Sequence, residues 1–446
     1  MARFSSRVAE EQVLERSAVC RSHYRIMPQL SHIVVLGAGF GGLEFCQKFH
    51  HPSARLTVVD AANHHLFQPL LYQVATAGLS APEIAQPIRS ILSHRPDISV
   101  LMERVVDVKL TEKKVILSES ELSYDFLVLA VGGCTSYFGH PEWEEYAPGL
   151  KSLHDALRIR TQVLLAFEKA EAADKKEEQA RLMTMVVVGG GPTGVELAGA
   201  FAELARHVLR ADFRRVDPAQ ARVILIEGTP RILSNLTPDL SASAQRQLEA
   251  LGVQVQLNAR VKNISAGLVE LENGTKIHAA NIFWAAGVAA TELTKKLGVP
   301  LDRAGRVKVN PDLSVPGHPD AFAIGDMALV LEADGKPVPG VSPAAMQMAT
   351  HVARIIKGEL TSPGKTGTHP AFKYWDKGTM ATIGRSAAVA QVGKIHFSGL
   401  IAWLAWLVIH LVFLVGFRNK IAVLFQWFYS YITYKRGSRI IINDKE

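Results

Sequence analysis

The sequence predicts an α/β fold with two Rossmann-like dinucleotide-binding domains and a C-terminal helical membrane-docking segment. An apolar strand runs into a glycine-rich turn twice, at "IVVLGAGFGG" (33–42) and at "VVVGGGPTGVE" (186–196). Each turn is followed by a helical stretch and a further apolar strand, which makes a βαβ unit. The segment 394–446 joins the most apolar run of the chain to an excess of positive charge.

Length and charge narrow the class of protein. A chain of 446 residues is long enough for two or three domains. The formal net charge is +7, and the segment 394–446 carries seven basic against two acidic side chains. Because this segment is also apolar, its charge favours an anionic lipid surface and argues against nucleic acid as the partner. The basic residues are Lys394, Arg418, Lys420, Lys435, Arg436, Arg439 and Lys445.

The N-terminus and the cysteines exclude several classes of protein. Residues 1–30 contain acidic side chains and no apolar stretch, which argues against a signal or transit peptide. We expect a disordered extension there, with Met27 as an alternative start. The cysteines Cys20, Cys46 and Cys134 include no C-x-x-C pair, so we expect neither a disulfide framework nor a metal site.

The first glycine turn has the residues that a dinucleotide needs. Gly37, Gly39 and Gly42 match G-x-G-x-x-G, and Asp60 ends the next strand, "RLTVVD". Glycines allow a tight turn and let a pyrophosphate approach the helix N-terminus, while the acid accepts hydrogen bonds from a ribose. With strand, helix and acid all in place, the pattern predicts dinucleotide binding.

The second glycine turn matches the same template through Gly189, Gly191 and Gly194. Glu227 ends the following strand, "VILIEG", and an acid there favours NAD because it would repel the 2′-phosphate of NADP. Arg231 lies nearby in the sequence and keeps NADP open. A glycine turn that only lets helix and strand pack is the alternative to dinucleotide binding.

Two dinucleotide sites in one chain suggest one flavin and one nicotinamide. Later in the sequence, "AFAIGDMA" (321–328) places Gly325 and Asp326 at the end of a strand. This run resembles the motif by which two-dinucleotide flavoproteins hold the ribityl and pyrophosphate of FAD, and the alternative is an ordinary strand-to-turn Gly-Asp. We expect non-covalent FAD at the first turn and NADH, as substrate, at the second.

A family resemblance rests on "HHLFQPLLYQVATAGLSAPEIAQPIR" (64–89), "YDFLVLAVGGCTSYFGHPE" (124–142), "GGGPTGVELAGAFAEL" (189–204), "IFWAAGV" (282–288) and "AFAIGDMA". Together these segments resemble the type II NADH:quinone oxidoreductases, which are single-subunit flavoproteins and do not pump protons. The resemblance extends from about residue 31 to the C-terminus. Its most specific parts are the segment 64–89 and the run "TSYFG".

The resemblance implies a glutathione reductase-like arrangement in which an NADH domain is inserted into a split FAD domain. It also implies that Ala130 and Gly132 lie at the flavin. NADH would pass a hydride to FAD, and a membrane quinone would take the two electrons. The implied boundaries are 31–150 and 291–393 for the FAD domain, 151–290 for the NADH domain and 394–446 for the membrane-docking segment.

One helix departs from the family pattern A-Q-x-x-x-Q, because residues 342–347 read "SPAAMQ". Pro343 replaces the first glutamine, so a quinone contact there is not carried over, although proline suits the first turn of a helix. Gln347 keeps the second glutamine and is a candidate catalytic residue. Simple helix packing is the alternative for Gln347.

Glu196 comes two residues after the third glycine of the second turn. A carboxylate near a helix start interacts favourably with the helix dipole, and this alone would explain it. The family resemblance implies more, namely a carboxylate near the nicotinamide and the quinone that relays a proton. Glu196 is therefore the first candidate for coupling electron transfer to protons.

Two other functions stay open from the sequence. Sulfide:quinone oxidoreductases share the architecture but need cysteines in the later half of the chain, and none lies beyond Cys134. The other function is that of a membrane flavoprotein sensor without quinone turnover. The identity of the quinone and a homodimer also stay open.

The membrane segment begins with "LIAWLAWLVIHLVFLVGF" (400–417), which has no formal charge and is at the lower limit of spanning length. "NKIAVLFQWFYSYITY" follows and is rich in aromatic residues, as an interfacial helix is. A single span would carry the basic C-terminus across the membrane, against the positive-inside rule. We expect a monotopic helical pair on the cytoplasmic face of the cell inner membrane, with a span or a buried core helix as alternatives.

Overall fold

The computed structural model describes residues 30–332, 334–362, 369–433 and 435–441. The extension expected at residues 1–30 lies outside this part of the chain, apart from Leu30, and so does Met27. The described chain contains two main sheets of largely parallel strands, and a central strand of each leads into one of the glycine turns. In the larger sheet, the edge strand Ser314–Val315 is antiparallel to its neighbour His318–Ala323.

The first sheet takes strands from distant parts of the chain. Ser31–Leu36 lies at its centre and pairs in parallel with Ala54–Asp60 and Phe126–Leu129. His318–Ala323 joins the far side of Phe126–Leu129, also in parallel. The central run is buried almost throughout, as a parallel strand between helical layers is. The order is Ser314–Val315, His318–Ala323, Phe126–Leu129, Ser31–Leu36, Ala54–Asp60 and Ile98–Met102.

The second sheet comes from the middle of the chain and repeats the first in a smaller form. Thr184–Val188 is its fully buried central strand and leads into the second glycine turn. It pairs in parallel with Arg222–Ile226 and Asn281–Trp284. The prediction of two Rossmann-like domains is therefore confirmed. The order is Val253–Gln256, Arg222–Ile226, Thr184–Val188 and Asn281–Trp284.

Short strands accompany the two parallel sheets. One antiparallel meander comprises Val105–Lys109, Lys114–Leu117 and Glu121–Ser123, and the other comprises Val261–Ser265, Leu268–Leu271 and Lys276–His278. The paired short strands are His64–Leu66 with Ala85–Pro87, Gly133–Thr135 with Val288–Ala290, and Val307–Lys308 with Ala328–Leu329.

The helix after the first glycine turn, Phe40–Lys48, packs along the later helix Ser342–Thr361. A Cβ at Gly41 would lie 3.0 Å from the Ile324 side chain and 3.5 Å from the Ala345 carbonyl oxygen, so glycine permits this close approach. The other α-helices are Leu71–Ala75, Ala81–Ile84, Ile88–Ile91, Leu153–Ala172, Lys176–Leu182, Pro192–Glu203, Pro238–Ala250, Leu293–Lys296, Leu400–Phe413 and Phe417–Thr433. Short 3₁₀ turns occur at Gln68–Leu70, Pro141–Glu145, Pro218–Gln220 and Gly325–Met327, and a π turn occurs at Leu204–Val208.

The strands between residues 379 and 398 form an antiparallel sheet that we call the third sheet. It packs between helix Pro192–Glu203 and helix Leu400–Phe413. Helix Pro192–Glu203 packs on it so closely that a Cβ at Gly199 would overlap the Ile383 carbonyl oxygen. Helix Leu400–Phe413 contacts it through a cluster that includes Trp403. The boundary at residue 393, which assigns these strands to the FAD domain, stays a prediction. The order is Thr379–Gly384, Ala387–Val392 and Ile395–Ser398.

The apolar run 400–417 is not one helix. It breaks at residues 414–416, so Leu400–Phe413 ends before Phe417–Thr433 begins, and we call these two helices the C-terminal helix pair. Within the described ranges, no helix is both long enough and apolar enough to cross a membrane. Trp406 and Trp427 are buried in the main core, and each side chain contributes about 2–3 kcal/mol of apolar burial to holding its helix.

The C-terminal helix pair also exposes many apolar side chains. A soluble surface rarely shows so many large apolar residues in one place, and such a surface marks an interaction site. The pair is therefore not a buried core element. The exposed residues are Leu400, Ile401, Leu404, Val408, Ile409, Val412, Phe413, Phe417, Ile421, Leu424, Phe425, Phe428, Tyr429 and Ile432.

Candidate active site

In the first glycine loop, residues 37–42, backbone atoms lie so close to two of the glycines that a side chain would not fit there. Gly37 has a φ of +96°, and a Cβ there would overlap the Ala130 carbonyl oxygen. A Cβ at Gly42 would overlap the Gly37 carbonyl oxygen, so the third glycine lets the helix close onto the strand. By contrast, the Cβ position of Gly39 has nothing within 4 Å. The loop is therefore tight at both ends and open in the middle.

The second glycine loop, residues 189–194, repeats this geometry position by position. Gly189 has a φ of +112°, and a Cβ there would lie 2.7 Å from the Ala285 backbone. A Cβ at Gly194 would overlap the Gly189 carbonyl oxygen, whereas the Cβ position of Gly191 has nothing within 4 Å. Packing explains the outer glycines of each loop but not the middle one.

Asp60 is fixed at the end of its strand by two backbone donors. Its Oδ2 accepts a hydrogen bond from Ala38 N at 2.7 Å, and its Oδ1 accepts one from Ala62 N at 2.8 Å. The buried His65 joins the same loop, because its Nδ1 lies 2.9 Å from the Ala38 carbonyl oxygen. Burial lowers the pKa of His65, and its Nε2 has no partner in the described part of the chain.

Glu227 is fixed in the same way at the second loop. Its Oε2 accepts a hydrogen bond from Gly190 N at 2.6 Å, and its Oε1 accepts one from Thr229 N at 2.7 Å. In both loops one donor directly follows the first glycine, and the other lies two residues after the acid. The nearby Arg231 donates through Nη2 to the Ser234 carbonyl oxygen at 2.9 Å.

Both loops are suited to bind a pyrophosphate. The helices Phe40–Lys48 and Pro192–Glu203 begin at Gly39 and Gly191 without a side-chain cap. Their first-turn N–H groups are therefore available to an anion, and the helix dipole favours negative charge there. The open space at each middle glycine, Gly39 and Gly191, lies at the start of the helix that follows its loop. Each loop therefore offers both room for a pyrophosphate and N–H groups to bind it.

The first loop has an additional acceptor that suits the polyol chain of FAD. Gly325, with a φ of +71°, turns the chain at the end of its strand and is followed by the half-buried Asp326. A Cβ at Gly133 or at Gly340 would lie 3.2 Å from the Asp326 side chain. No residue that the structure describes donates a hydrogen bond to this carboxylate, which leaves it available to ligand hydroxyls. Gly132 also borders open space.

Glu196 lies in a pocket of about 520 Å³ of empty space, counting the part open to solvent. Helix Pro192–Glu203, the third sheet, the segment 72–78 and the C-terminal helix pair all contribute to its walls. Within the segment 64–89, which carries part of the family resemblance, residues between 72 and 78 line this pocket. Polar and aromatic side chains around Glu196 in this lining include Tyr72, Gln73, Glu203, Thr382, Trp427 and Arg436.

Burial dominates the electrostatics of Glu196. Loss of water raises the pKa of its carboxyl to about 8, while the Thr382 backbone and the Trp406 indole favour the charged form. The Trp406 Nε1 does not reach hydrogen-bond geometry with any described group, so it acts as a nearby dipole. At pH 7 the carboxyl is mostly protonated and can donate a proton.

Tyr72 and its neighbours form a hydrogen-bonded chain along the pocket wall. Trp427 Nε1 donates to Gln73 Oε1 at 2.8 Å, and Gln73 Nε2 donates to the Tyr72 hydroxyl at 2.9 Å. Burial, followed by the charge of Glu196, raises the pKa of Tyr72 well above its usual value. Tyr72 therefore stays a neutral hydroxyl that can hold water or a substrate oxygen near Glu196.

Arg436 reaches the same pocket from the C-terminal tail. It donates through Nη1 to the Thr76 carbonyl oxygen at 2.8 Å and pairs through Nη2 with Glu203 at 3.2 Å. Glu203 Oε1 also accepts from Arg385 N at 2.5 Å. The sequence placed Arg436 among the charges that face a membrane, and the structure corrects this, because its side chain is mostly buried.

Gln347 lies in the second turn of helix Ser342–Thr361, and Pro343 lies in the first turn, as predicted. Gln347 Nε2 donates to the Trp375 carbonyl oxygen at 3.0 Å, and its Oε1 accepts from Trp375 N at 3.0 Å. Among the described residues, the wall of the pocket around Glu196 does not include Gln347. The two candidate catalytic residues therefore do not line the same pocket within the described part of the chain, and a quinone contact by Gln347 stays a prediction.

Cys46 and Cys134, the cysteines within the described ranges, are free thiols. Burial raises the pKa of Cys46 to about 12, and burial also raises the pKa of Cys134. Neither thiol is therefore activated as a thiolate.

The fold and the site together define a class, the oxidoreductases that bind two dinucleotides. The family model described as pyridine nucleotide-disulphide oxidoreductase matches residues 31–350, which include both glycine loops. The model described as NDH2 C-terminal domain matches residues 376–435, which include the third sheet and the C-terminal helix pair.

The relatives define the class more closely. The type II NADH:quinone oxidoreductase Ndh of Mycobacterium tuberculosis is 43% identical, over 94% of this chain and 92% of that protein. The mitochondrial internal alternative NAD(P)H-ubiquinone oxidoreductase A1 of Arabidopsis thaliana is 30% identical, over 92% and 85%. NDH2 from Plasmodium falciparum, solved in complex with NADH, shares the fold with a TM-score of 0.84 at 22% identity, covering 93% of this chain and 100% of that chain. This chain belongs to the type II NADH:quinone oxidoreductase family, which confirms the resemblance found in the sequence.

Proposed function

We propose that this chain oxidises NADH at the second glycine loop and reduces a membrane quinone, with FAD held at the first loop. FAD, when bound, supplies the hydride acceptor and the store for two electrons. The repeated loop geometry carries this proposal, because each loop has an open middle glycine beside a carboxylate fixed by two equivalent backbone donors. A protein that only bound one nucleotide would need a single loop of this kind. Electron transfer from one dinucleotide to another requires both loops.

The first loop would hold FAD through groups that the fold has already positioned. The open space at Gly39 admits the pyrophosphate, and Asp60 accepts from the ribose. Asp326 accepts from the ribityl hydroxyls, since its carboxylate has no donor among the described residues. Gly132 leaves room at the same edge.

At the second loop, Glu227 makes NADH the preferred nicotinamide. Its fixed carboxylate accepts from the ribose hydroxyls of NADH and repels the 2′-phosphate of NADPH. Arg231, which could offset that repulsion, has one guanidinium nitrogen bonded to the Ser234 carbonyl oxygen.

Glu196 supplies a proton during quinone reduction. A quinone that takes two electrons also takes two protons to become a quinol. The Glu196 carboxyl carries a proton at pH 7 because burial raises its pKa to about 8. Since the pocket opens to solvent, water can return the proton after each turnover.

The C-terminal helix pair docks the enzyme on the cytoplasmic face of the cell inner membrane, in one leaflet. Its exposed face is apolar. Arg418, beside the break between the two helices, and Lys435, just after the second helix, are exposed and suit anionic headgroups. Docking there gives a lipid-soluble quinone access from the bilayer, while NADH arrives from water.

The function is tested by following NADH oxidation by the purified yellow protein with and without an added quinone. Oxidation that requires the quinone supports the proposal, and bound flavin without quinone-dependent turnover would instead assign the chain to the sensors. The same assay with NADPH should show much slower turnover.

Glu196→Gln tests the proton step. We expect quinone turnover to fall about 100-fold, since general acid catalysis contributes at least that much, while NADH still bleaches the flavin at the wild-type rate. Wild-type turnover should fall as the pH rises through about 8, where Glu196 loses its proton, and the variant should lose this limb. The matched control is Glu112→Gln, on an exposed carboxylate. Full quinone turnover with an unchanged pH profile would remove Glu196 from the mechanism.

A further inference from the structure

Trp375 differs from the other tryptophans of the chain because it is exposed. Its exposed fraction is 71%, whereas the other five are at most 9% exposed. A tryptophan buries a large apolar area when it meets a partner surface, so an exposed tryptophan is unfavourable unless a partner covers it. The five buried residues are Trp143, Trp284, Trp403, Trp406 and Trp427.

The loop that carries Trp375, residues 372–378, is held in place by the side chain of Gln347. The two hydrogen bonds of the Gln347 amide, both at 3.0 Å, involve the backbone N–H and carbonyl of Trp375. Asp376 Oδ1 also accepts from Gly378 N at 2.8 Å and tightens the turn. The backbone is therefore fixed while the indole ring points outward.

Lys377 connects this loop with the C-terminal helix pair. Its Nζ lies 5.7 Å from the centre of the Trp375 ring and 5.7 Å from the centre of the Phe413 ring. Phe413 ends the first helix of the pair and Phe417 begins the second, and both side chains are exposed. The Trp375 ring thus continues the exposed apolar face of the pair.

The charges around Trp375 suit an anionic lipid surface. Lys373 and Lys377 flank Trp375 in the sequence and are exposed, against one exposed acid, Asp376, and Lys377 Nζ lies over the ring. The exposed Arg418 lies next to the break between the two helices. An indole ring flanked by lysines is typical of the headgroup layer of a bilayer, where the ring is partly buried and the ammonium groups meet phosphate.

We propose that residues 372–378 are an additional membrane contact, in which Trp375 enters the interfacial layer of an anionic bilayer and Gln347 is its positioning residue. Helix Ser342–Thr361, which carries Gln347, also touches the flavin-side turn, because Gly325 N donates to Met348 Sδ at 3.3 Å. Contact at this loop therefore fixes the tilt of the flavin-binding half on the membrane. The inference rests on the proposed docking of the C-terminal helix pair and does not depend on quinone turnover.

The test measures binding of the full-length holoenzyme to vesicles of phosphatidylcholine and phosphatidylglycerol. Trp375→Ser should weaken binding about tenfold, the effect expected when one large apolar side chain loses its burial. Flavin content and NADH oxidation by a water-soluble acceptor should not change. The matched control Val106→Ser, on an exposed apolar residue of the first meander, should bind like the wild type.

Brominated lipids test the position of the ring directly. They should quench a part of the wild-type tryptophan fluorescence that Trp375→Ser removes, because the other tryptophans are buried. Gln347→Leu should reduce this quenching, since the loop loses both hydrogen bonds to the helix. Unchanged binding and quenching in Trp375→Ser would overturn the inference. A change of oligomeric state at unchanged vesicle binding would also overturn it, by assigning the loop to a second copy of the chain.

Leu404→Asp separates this inference from the docking on which it rests. Leu404 is exposed on the first helix of the pair, and its replacement should strongly reduce vesicle binding. Loss of binding in Leu404→Asp together with normal binding in Trp375→Ser would sink the inference alone. Normal binding in Leu404→Asp would sink the docking by the helix pair, and quenching of Trp375 would still decide the inference.

Discussion

At the scale of the residue, Glu196 shows how the surroundings of a side chain decide its chemistry. The helix dipole alone would hold its carboxylate charged. Tyr72, Thr382 and Trp406 instead enclose it, and burial raises the pKa to about 8. A carboxylate that the sequence places near a helix start thus becomes a proton donor near neutral pH.

The raised pKa of Glu196 also predicts how stability depends on pH. The folded protein holds this proton up to about pH 8, whereas the unfolded chain releases it near 4.5. Stability therefore falls as the pH rises between these two values, and the loss is complete above pH 8. Glu196→Gln removes this loss, so its Tm should exceed the wild-type Tm by about 2 °C or more at about pH 9 and by less at about pH 5. Thermal unfolding at both pH values checks this, and an equal difference at each would contradict it.

In each loop the middle glycine leaves space for a ligand, whereas the third glycine allows close backbone packing, and substitutions can distinguish these two roles. Gly191→Ala should raise the KM for NADH about tenfold with full flavin content, because the new methyl group enters only the open space for the pyrophosphate. Gly194→Ala should destabilise the fold, because its Cβ would overlap the Gly189 carbonyl oxygen. Gly358→Ala, in a helix with free space around it, is the control. Flavin absorbance per protein and steady-state kinetics distinguish these outcomes.

At the scale of the element, the two βαβ units are built alike although their connections differ in length. The helix after the second loop continues into a π turn, Leu204–Val208, and a 3₁₀ turn before the next strand begins. The acid nevertheless reaches its loop with the same two backbone contacts. Register within the parallel sheet sets the position of the acid, and the length of the connection does not.

The C-terminal tail is an element whose attachment can be measured. Arg436→Met leaves Glu203 mostly buried without its ion partner, so the free energy of unfolding should fall by about 3 kcal/mol. Adding Glu203→Gln should recover part of this, and a double-mutant cycle by chemical denaturation measures the coupling. Arg418→Met, on an exposed arginine, is the control. A change within about 0.5 kcal/mol would show that the pair does not hold the tail.

At the scale of the whole molecule, the two dinucleotide loops and the apolar surface form a route from water to lipid. The C-terminal helix pair lines the pocket of Glu196 with its buried side and exposes its other side. The same element can therefore dock on a membrane and border the proton-donating carboxyl.

The excess of positive charge in the C-terminal segment predicts how salt affects this docking. Binding to vesicles with phosphatidylglycerol should weaken as salt rises from about 0.05 M to about 0.5 M, because ions screen the attraction between headgroups and basic side chains. Binding should not vanish, since apolar burial is insensitive to screening. Vesicles of phosphatidylcholine alone are the control and should show weak, salt-independent binding. Equal affinity for both vesicles at low salt would contradict the electrostatic part of the proposal.

Features that depend on a short stretch of the chain could be predicted from the sequence. The glycine turns, the acids Asp60 and Glu227 and the central strands depend on residues close together in the chain, so one sequence was enough to predict the fold. The sequence did not decide whether the run 400–417 forms one helix or two, because apolarity alone does not show that a helix breaks at residues 414–416.

The sequence by itself determined that this protein has two dinucleotide loops and an apolar, basic C-terminus, and it indicated the family. These features are properties of short segments of the chain. Only the tertiary structure decided that Glu196 is enclosed, that Arg436 is buried beside Glu203, and that Gln347 holds the loop of Trp375. The reason is physical: burial, ion pairing and pKa arise from contacts between residues far apart in the chain, and a single sequence does not record which of them meet.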